Sequence, residues 1–85
     1  MIILLYFDWV GGHKELKEWE TKIREACVNS GVEYEGLFGS MNEKWNYVSI
    51  FEAEAYENFL AMGKKVARPQ MMPHNIVEVL LPQNL

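Results

Sequence analysis

The feature that most constrains this chain is the order in which its hydrophobic period changes. Segments with the two-residue period of a strand and the 3.6-residue period of a helix follow one another through only 85 residues. Ile2-Ile3-Leu4-Leu5-Tyr6-Phe7 is an unbroken apolar run of strand length, bounded by Asp8 and the Gly11-Gly12 turn pair. From His13 to Ser30, Leu16, Trp19, Ile23, Ala26 and Cys27 recur at three- and four-residue spacing, which makes one apolar stripe on a helix. Gly31 stands where a left-handed residue ends such a helix. Val32 to Met41 reads as a second strand, weakened by Gly36 and Gly39 at positions that suit a bulge. Asn42-Glu43-Lys44 fits a hairpin loop, and Trp45 to Phe51 alternates as a third strand. Glu52 to Gly63 returns to helical spacing, with Glu52, Glu54 and Glu57 at the positive end of its dipole and Lys64 and Lys65 at the negative end. Ala67 to Pro73 carries two prolines and is a loop; Ile76 to Leu81 is a last strand, stopped by Pro82.

The order β-α-β-β-α-β predicts an α+β, ferredoxin-like domain: a four-stranded antiparallel sheet with both helices on one face. The length allows one domain, residues 1–85, and no second. At 49% hydrophobic residues the chain has enough apolar surface to fold, which excludes disorder. Cys27 is the only cysteine, which excludes a disulfide scaffold. The net charge is −4, and Lys14, Lys17, Lys22 and Arg24 alternate with Glu15, Glu18, Glu20 and Glu25. That is a mixed solvated face, so no nucleic-acid partner is expected. The first apolar run has no preceding positive charge and is too short for a secretory or membrane-spanning segment. No membrane partner is expected, and a cytoplasmic location is.

Strand parity gives each strand two sets of side chains. Ile3, Leu5 and Phe7, then Val48 and Ile50, then Val77, Val79 and Leu81 are aliphatic sets suited to the helices. Tyr6, Asp8, Trp45, Tyr47, Ser49, Phe51 and Glu78 are left for the opposite face. Nothing in so short a chain remains to cover that face. An exposed face this apolar is unusual for a monomer, and a second copy is the simplest cover, so a homodimer is expected.

The segment Phe51-Glu52-Ala53-Glu54-Ala55-Tyr56-Glu57-Asn58-Phe59-Leu60 carries an acid-x-x-Ala-aromatic-x-x-Phe-Leu pattern straight after a strand. With the element order, it resembles the dimeric α+β barrel superfamily, most closely its small members without an assigned function. The resemblance implies two sheets packed face to face, with a small-molecule pocket beside each sheet. Activities in that superfamily include cofactor-free monooxygenases, haem-degrading enzymes, muconolactone-type isomerases and ligand-sensing modules. The haem-degrading branch uses a His on the second helix. This chain has none between Glu52 and Gly63, so no cofactor is expected.

Asp8, His13 and His74 are the candidate catalytic residues. Asp8 ends the first strand, His13 opens the first helix and His74 precedes the last strand. A carboxylate that orients a His makes a general base near neutral pH, suited to abstracting a proton from a phenol or from carbon beside a carbonyl. In the opposing reading both His are solvated loop residues and Asp8 caps a turn. No metal is expected, because His13, His74, Asp8 and Cys27 have no ligand spacing and Cys27 lies on the apolar stripe. Tyr6, Tyr34, Trp45, Tyr47 and Ser49 are candidate ligand-binding residues, since aromatic walls with a few polar groups make small-molecule pockets. The same residue types also make dimer interfaces. Lys64, Lys65 and Arg68 could bind a phosphate or carboxylate, but cations that satisfy a helix C-terminus and its dipole are the better reading. Met71 and Met72 read as a lid or as loop packing. The leading expectation is a homodimer binding a small aromatic or apolar molecule. The alternatives are a cofactor-independent monooxygenase or isomerase with a His base, and a structural or regulatory dimer without ligand.

Overall fold

A computed structural model describes residues 1–40 and 44–85. The elements run β1 (Ile2–Phe7), α1 (His13–Cys27), β2 (Val32–Gly39), β3 (Tyr47–Ala53), α2 (Tyr56–Gly63) and β4 (Asn75–Leu80). The four strands form one antiparallel sheet in the order β2-β3-β1-β4. This α+β arrangement is compatible with the ferredoxin-like expectation. Of the expected hairpin loop, Asn42 and Glu43 lie outside the described residues, as does Met41 at the end of the expected second strand.

The element ends have local causes. At the start of α1 the Gly12 N–H donates to Glu15 Oε2 at 3.1 Å. This is half of a capping box, since glycine has no side chain to return the bond. After α1, Asn29 (φ 57°) and Gly31 (φ 78°) turn the chain through left-handed backbone. A Cβ on Gly31 would also collide with the Asn58 side chain, so glycine is required there twice over. In β2 the pairing with β3 shifts register between Tyr34 and Gly36, where Gly36 takes φ 142°. That is the bulge its glycine suggests. Helix α2 starts at Tyr56 rather than Glu52, because β3 continues through Ala53, which pairs with Val32 and is buried.

Both helices pack on one side of the sheet. Leu16, Trp19 and Ile23 from α1 and Phe59 and Met62 from α2 join Ile3, Phe7 and Phe51 in a single core. Phe7 meets Trp19 edge-on at 5.1 Å, and Phe51 meets Phe59 likewise at 5.1 Å. Each buried ring of this kind contributes roughly 2–3 kcal/mol by the area it removes from water.

The sidedness of β3 is opposite to the sequence expectation. The register pairs Ile3 with Phe51, Leu5 with Ser49 and Phe7 with Tyr47, so Tyr47, Ser49 and Phe51 face the helices. Phe51 and Ser49 are completely buried. Val48 and Ile50 pair with Tyr6 and Leu4 and face away. The reason is volume: two helices seated on a sheet leave a deep layer, and the rings of Phe51 and Tyr47 fill it against Trp19, Phe59 and Phe7 where a valine would not.

The open face therefore carries Ile2, Leu4 and Tyr6 from β1, Val48 and Ile50 from β3, Ile76 and Leu80 from β4, and Phe38 from β2. Ile2, Phe38, Ile76 and Leu80 are among its exposed side chains. The molecule is only 17 Å across its thinnest direction, the depth of one sheet plus one helix layer.

Candidate functional site

Between the sheet and the helices lies an apolar cavity of about 240 Å³. Leu5, Phe51 and Val77 form its floor on the sheet. Trp19, Ile23, Phe59 and Met62 form its helical walls. The loop after α2 borders its open side with Val66, Pro69 and Met72. The strand order creates this floor: β1 sits centrally with β3 and β4 on either side, so one inward residue from each converges. The loop is held down at several points. Met72 is buried, and Met71 O accepts from the Val10 N–H at 2.9 Å. Arg68 folds back on its own loop, donating from Nε and Nη2 to Met72 O at 3.4 and 3.3 Å and from Nη2 to Pro73 O at 2.8 Å.

A larger open cleft of about 700 Å³ runs between α1 and the same loop. It shares Trp19, Val66, Ala67, Arg68 and Pro69 with the apolar cavity, so the two adjoin. Its charged wall holds Lys22, Lys65 and Arg68 against Glu15 and Glu25.

The residues singled out from the sequence fall in three places. Tyr34, Tyr47 and Ser49 face the helices. The Tyr34 hydroxyl donates to Glu20 Oε2 at 3.0 Å, and the Arg24 guanidinium lies 4.8 Å from its ring centre. Burial pushes the Tyr34 pKa well above the usual phenol range; the bond to Glu20 raises it further, while the nearby Ser49 hydroxyl pulls the other way. Among the described residues, Ser49 Oγ is the buried side-chain polar atom that makes no hydrogen bond of its own. Tyr47 stacks on Phe7 with 5.6 Å between centroids. Tyr6 instead stands on the open face, its hydroxyl 3.5 Å from Glu78 Oε1.

Trp45 lines a third hollow, of about 390 Å³, with Asp8, His74 and Arg68. Antiparallel pairing of Phe7 with Asn75 brings Asp8 beside His74, and the Asp8 N–H donates to His74 O at 3.2 Å. Asp8 Oδ1 accepts from the Asn46 N–H at 3.2 Å. His13 lies at the exposed start of α1, outside this hollow. Cys27 is a buried free thiol whose pKa burial raises. A buried, hard-to-ionise thiol is a packing residue, not a nucleophile.

Phe59, Met62 and Arg68 were not among the candidate site residues. Phe59 is on the apolar stripe of α2, and that stripe is the signal that could have placed it at the cavity. For Arg68 the signal is the local cation cluster with Lys64 and Lys65, which reads more simply as a helix-end role; only the fold of the loop turns it toward three hollows at once. Glu33, Glu35 and Glu52 bring carboxylate oxygens within 4.8 Å of one another at one end of the open face, all exposed. Among the described residues no helix is long and apolar enough to cross a membrane. No protein-family model matches the chain, and no curated protein matches it.

Proposed function

We propose that this chain is a ferredoxin-like domain of the dimeric α+β barrel type, which pairs with a second copy through its open sheet face and holds a small aromatic or apolar molecule beside that sheet. The observation that carries this reading is the apolar cavity floored by Leu5, Phe51 and Val77 and walled by both helices. Small-molecule sites have this character: concave, mostly apolar, with few polar groups at the mouth. The pairing rests on the open face. Four strands about 4.8 Å apart and about six residues long make a face of roughly 400 Å², within the range of the largest patch on a typical monomer, which is often functional. A buried free Cys27 suits a reducing, cytoplasmic compartment.

Native mass spectrometry at low micromolar concentration tests both parts. The expected result is a dimer, with a retained small molecule where the ligand survives purification. A monomer throughout overturns the pairing. Filling the cavity with Val77→Trp is expected to abolish the retained mass; its persistence in a folded variant overturns the cavity as the site.

A second reading has its own observation: Asp8 and His74, joined by a backbone hydrogen bond, line one hollow with Trp45. There His74 would act as a general base on a bound phenol or carbon acid. Any turnover is then expected to fall roughly 100-fold or more in His74→Ala and to be unaffected in His13→Ala.

A further inference from the structure

We infer that the molecule held in the apolar cavity is an anion: a small aryl or short-chain carboxylate with its body among the apolar walls and its acid group at Arg68. The inference rests on the ligand-binding reading above and narrows it to one chemical class.

Three observations lead there. The cavity is small. At about 240 Å³ it lies below the usual range for drug-sized ligands, roughly 300–1,000 Å³. Its volume matches a single ring or a short chain, with the open side facing the wider cleft. Among the charged residues, Arg68 alone lines the cavity itself, and it also lines the wide cleft at the cavity's mouth.

Arg68 also makes no ion pair among the described residues. Its three hydrogen bonds go to neutral backbone carbonyls through Nε and Nη2. Its Nη1 group donates to no described residue. No carboxylate of the described residues lies within ion-pair distance of Arg68, although Asp8 shares the hollow of about 390 Å³ with it. A guanidinium has two nitrogen arms fixed in a plane, and an arm left unused beside an apolar hollow is a ready half of a charge-assisted bond to a carboxylate.

Finally, the side chains lining the mouth carry three cations against two carboxylates. Lys22, Lys65 and Arg68 face Glu15 and Glu25 across the cleft, and the Glu15 carboxylate already accepts from the Gly12 N–H. The bonds from Arg68 to Met72 and Pro73 hold its head in place before any ligand arrives, so little rotamer freedom is lost on binding.

The test uses benzoate as probe and benzyl alcohol as its uncharged counterpart, titrated separately into ¹⁵N-labelled protein and followed by amide shifts. Benzoate is expected to saturate with shifts along the loop after α2 and the core face of β1 and β3. Benzyl alcohol is expected to bind at least tenfold more weakly at the same amides. Arg68→Gln is expected to lower the ratio of benzoate to benzyl alcohol affinity to about one, and Arg68→Lys to restore part of it. The affinity ratio separates loss of charge from collapse of the loop, because collapse weakens both probes together. Equal affinity for the two probes in the wild-type chain would overturn the anion while leaving the cavity as the site. Failure of both probes to shift these amides would overturn the cavity reading and the anion with it.

Discussion

The two faces of the sheet are made from the same four strands, yet they solve opposite problems. The helix face is aromatic and dry: Phe7 and Phe51 are completely buried, with Trp19 and Phe59 set edge-on against them. The open face is aliphatic and acidic. It carries isoleucines, leucines and valine together with Glu33, Glu52 and Glu78, and no strand contains a Lys or Arg. All eight basic residues lie on α1, at Lys44 or after α2. Hydrophobicity alone does not separate the two faces, because both are apolar. What separates them is the depth to be filled and the sign of the charge at the rim.

The comparison breaks most sharply at Phe51. Phe51→Ala is expected to cost about 3–5 kcal/mol of folding stability, read as the shift in urea midpoint, because it empties a packed site between Tyr34 and Phe59. A loss below about 1 kcal/mol would mean that the helix face is not the core.

The open face predicts a different response. Ile76→Glu lies on exposed surface opposite Tyr6. It is expected to weaken self-association at least tenfold, measured by sedimentation, and to change monomer stability by no more than about 0.5 kcal/mol. If the association is unaffected, the face is not the interface.

The smallest effect sharpens the contrast from the polar side. The folded chain holds the Tyr34 proton more tightly than the unfolded chain does, whose phenol has the ordinary value of 10.0. Below that value both states are protonated and nothing is lost. As pH rises past it the unfolded chain ionises first, so stability falls with alkalinity. Tyr34→Phe is expected to flatten the fall in urea midpoint above pH 10, with the raised Cys27 thiol leaving a residual slope of the same sign.

Much of this was legible in the sequence. The element order, the stripe of α1, the turn at Gly31 and the weak point at Gly36 all follow from period and backbone freedom. The nearness of Asp8 to His74 follows from antiparallel pairing of the first and last strands. The side of β3 was not legible, because Trp45-Asn46-Tyr47-Val48-Ser49-Ile50-Phe51 alternates two sets that are both mostly apolar. Parity defines two sets without labelling them, and the label comes from pairing Phe51 with Ile3. Arg68 was in view as a phosphate or carboxylate binder, but its place in the fold was not. Three residues after Lys65 it reads as one more helix-end cation, and its place at the cavity depends on a loop whose path no period encodes.

The bulge at Gly36 has a consequence for polymerisation. Strand β2 and strand β4 are the two edges of the sheet. The bulge interrupts the regular run of β2, whereas β4 keeps an unbroken register with β1 over its whole length. Copies that added edge to edge would join cleanly along β4 and would then present only bulged strands outward. Growth by strand addition would stop after one step, so a chain with so much exposed aliphatic surface has a built-in chain terminator against filaments.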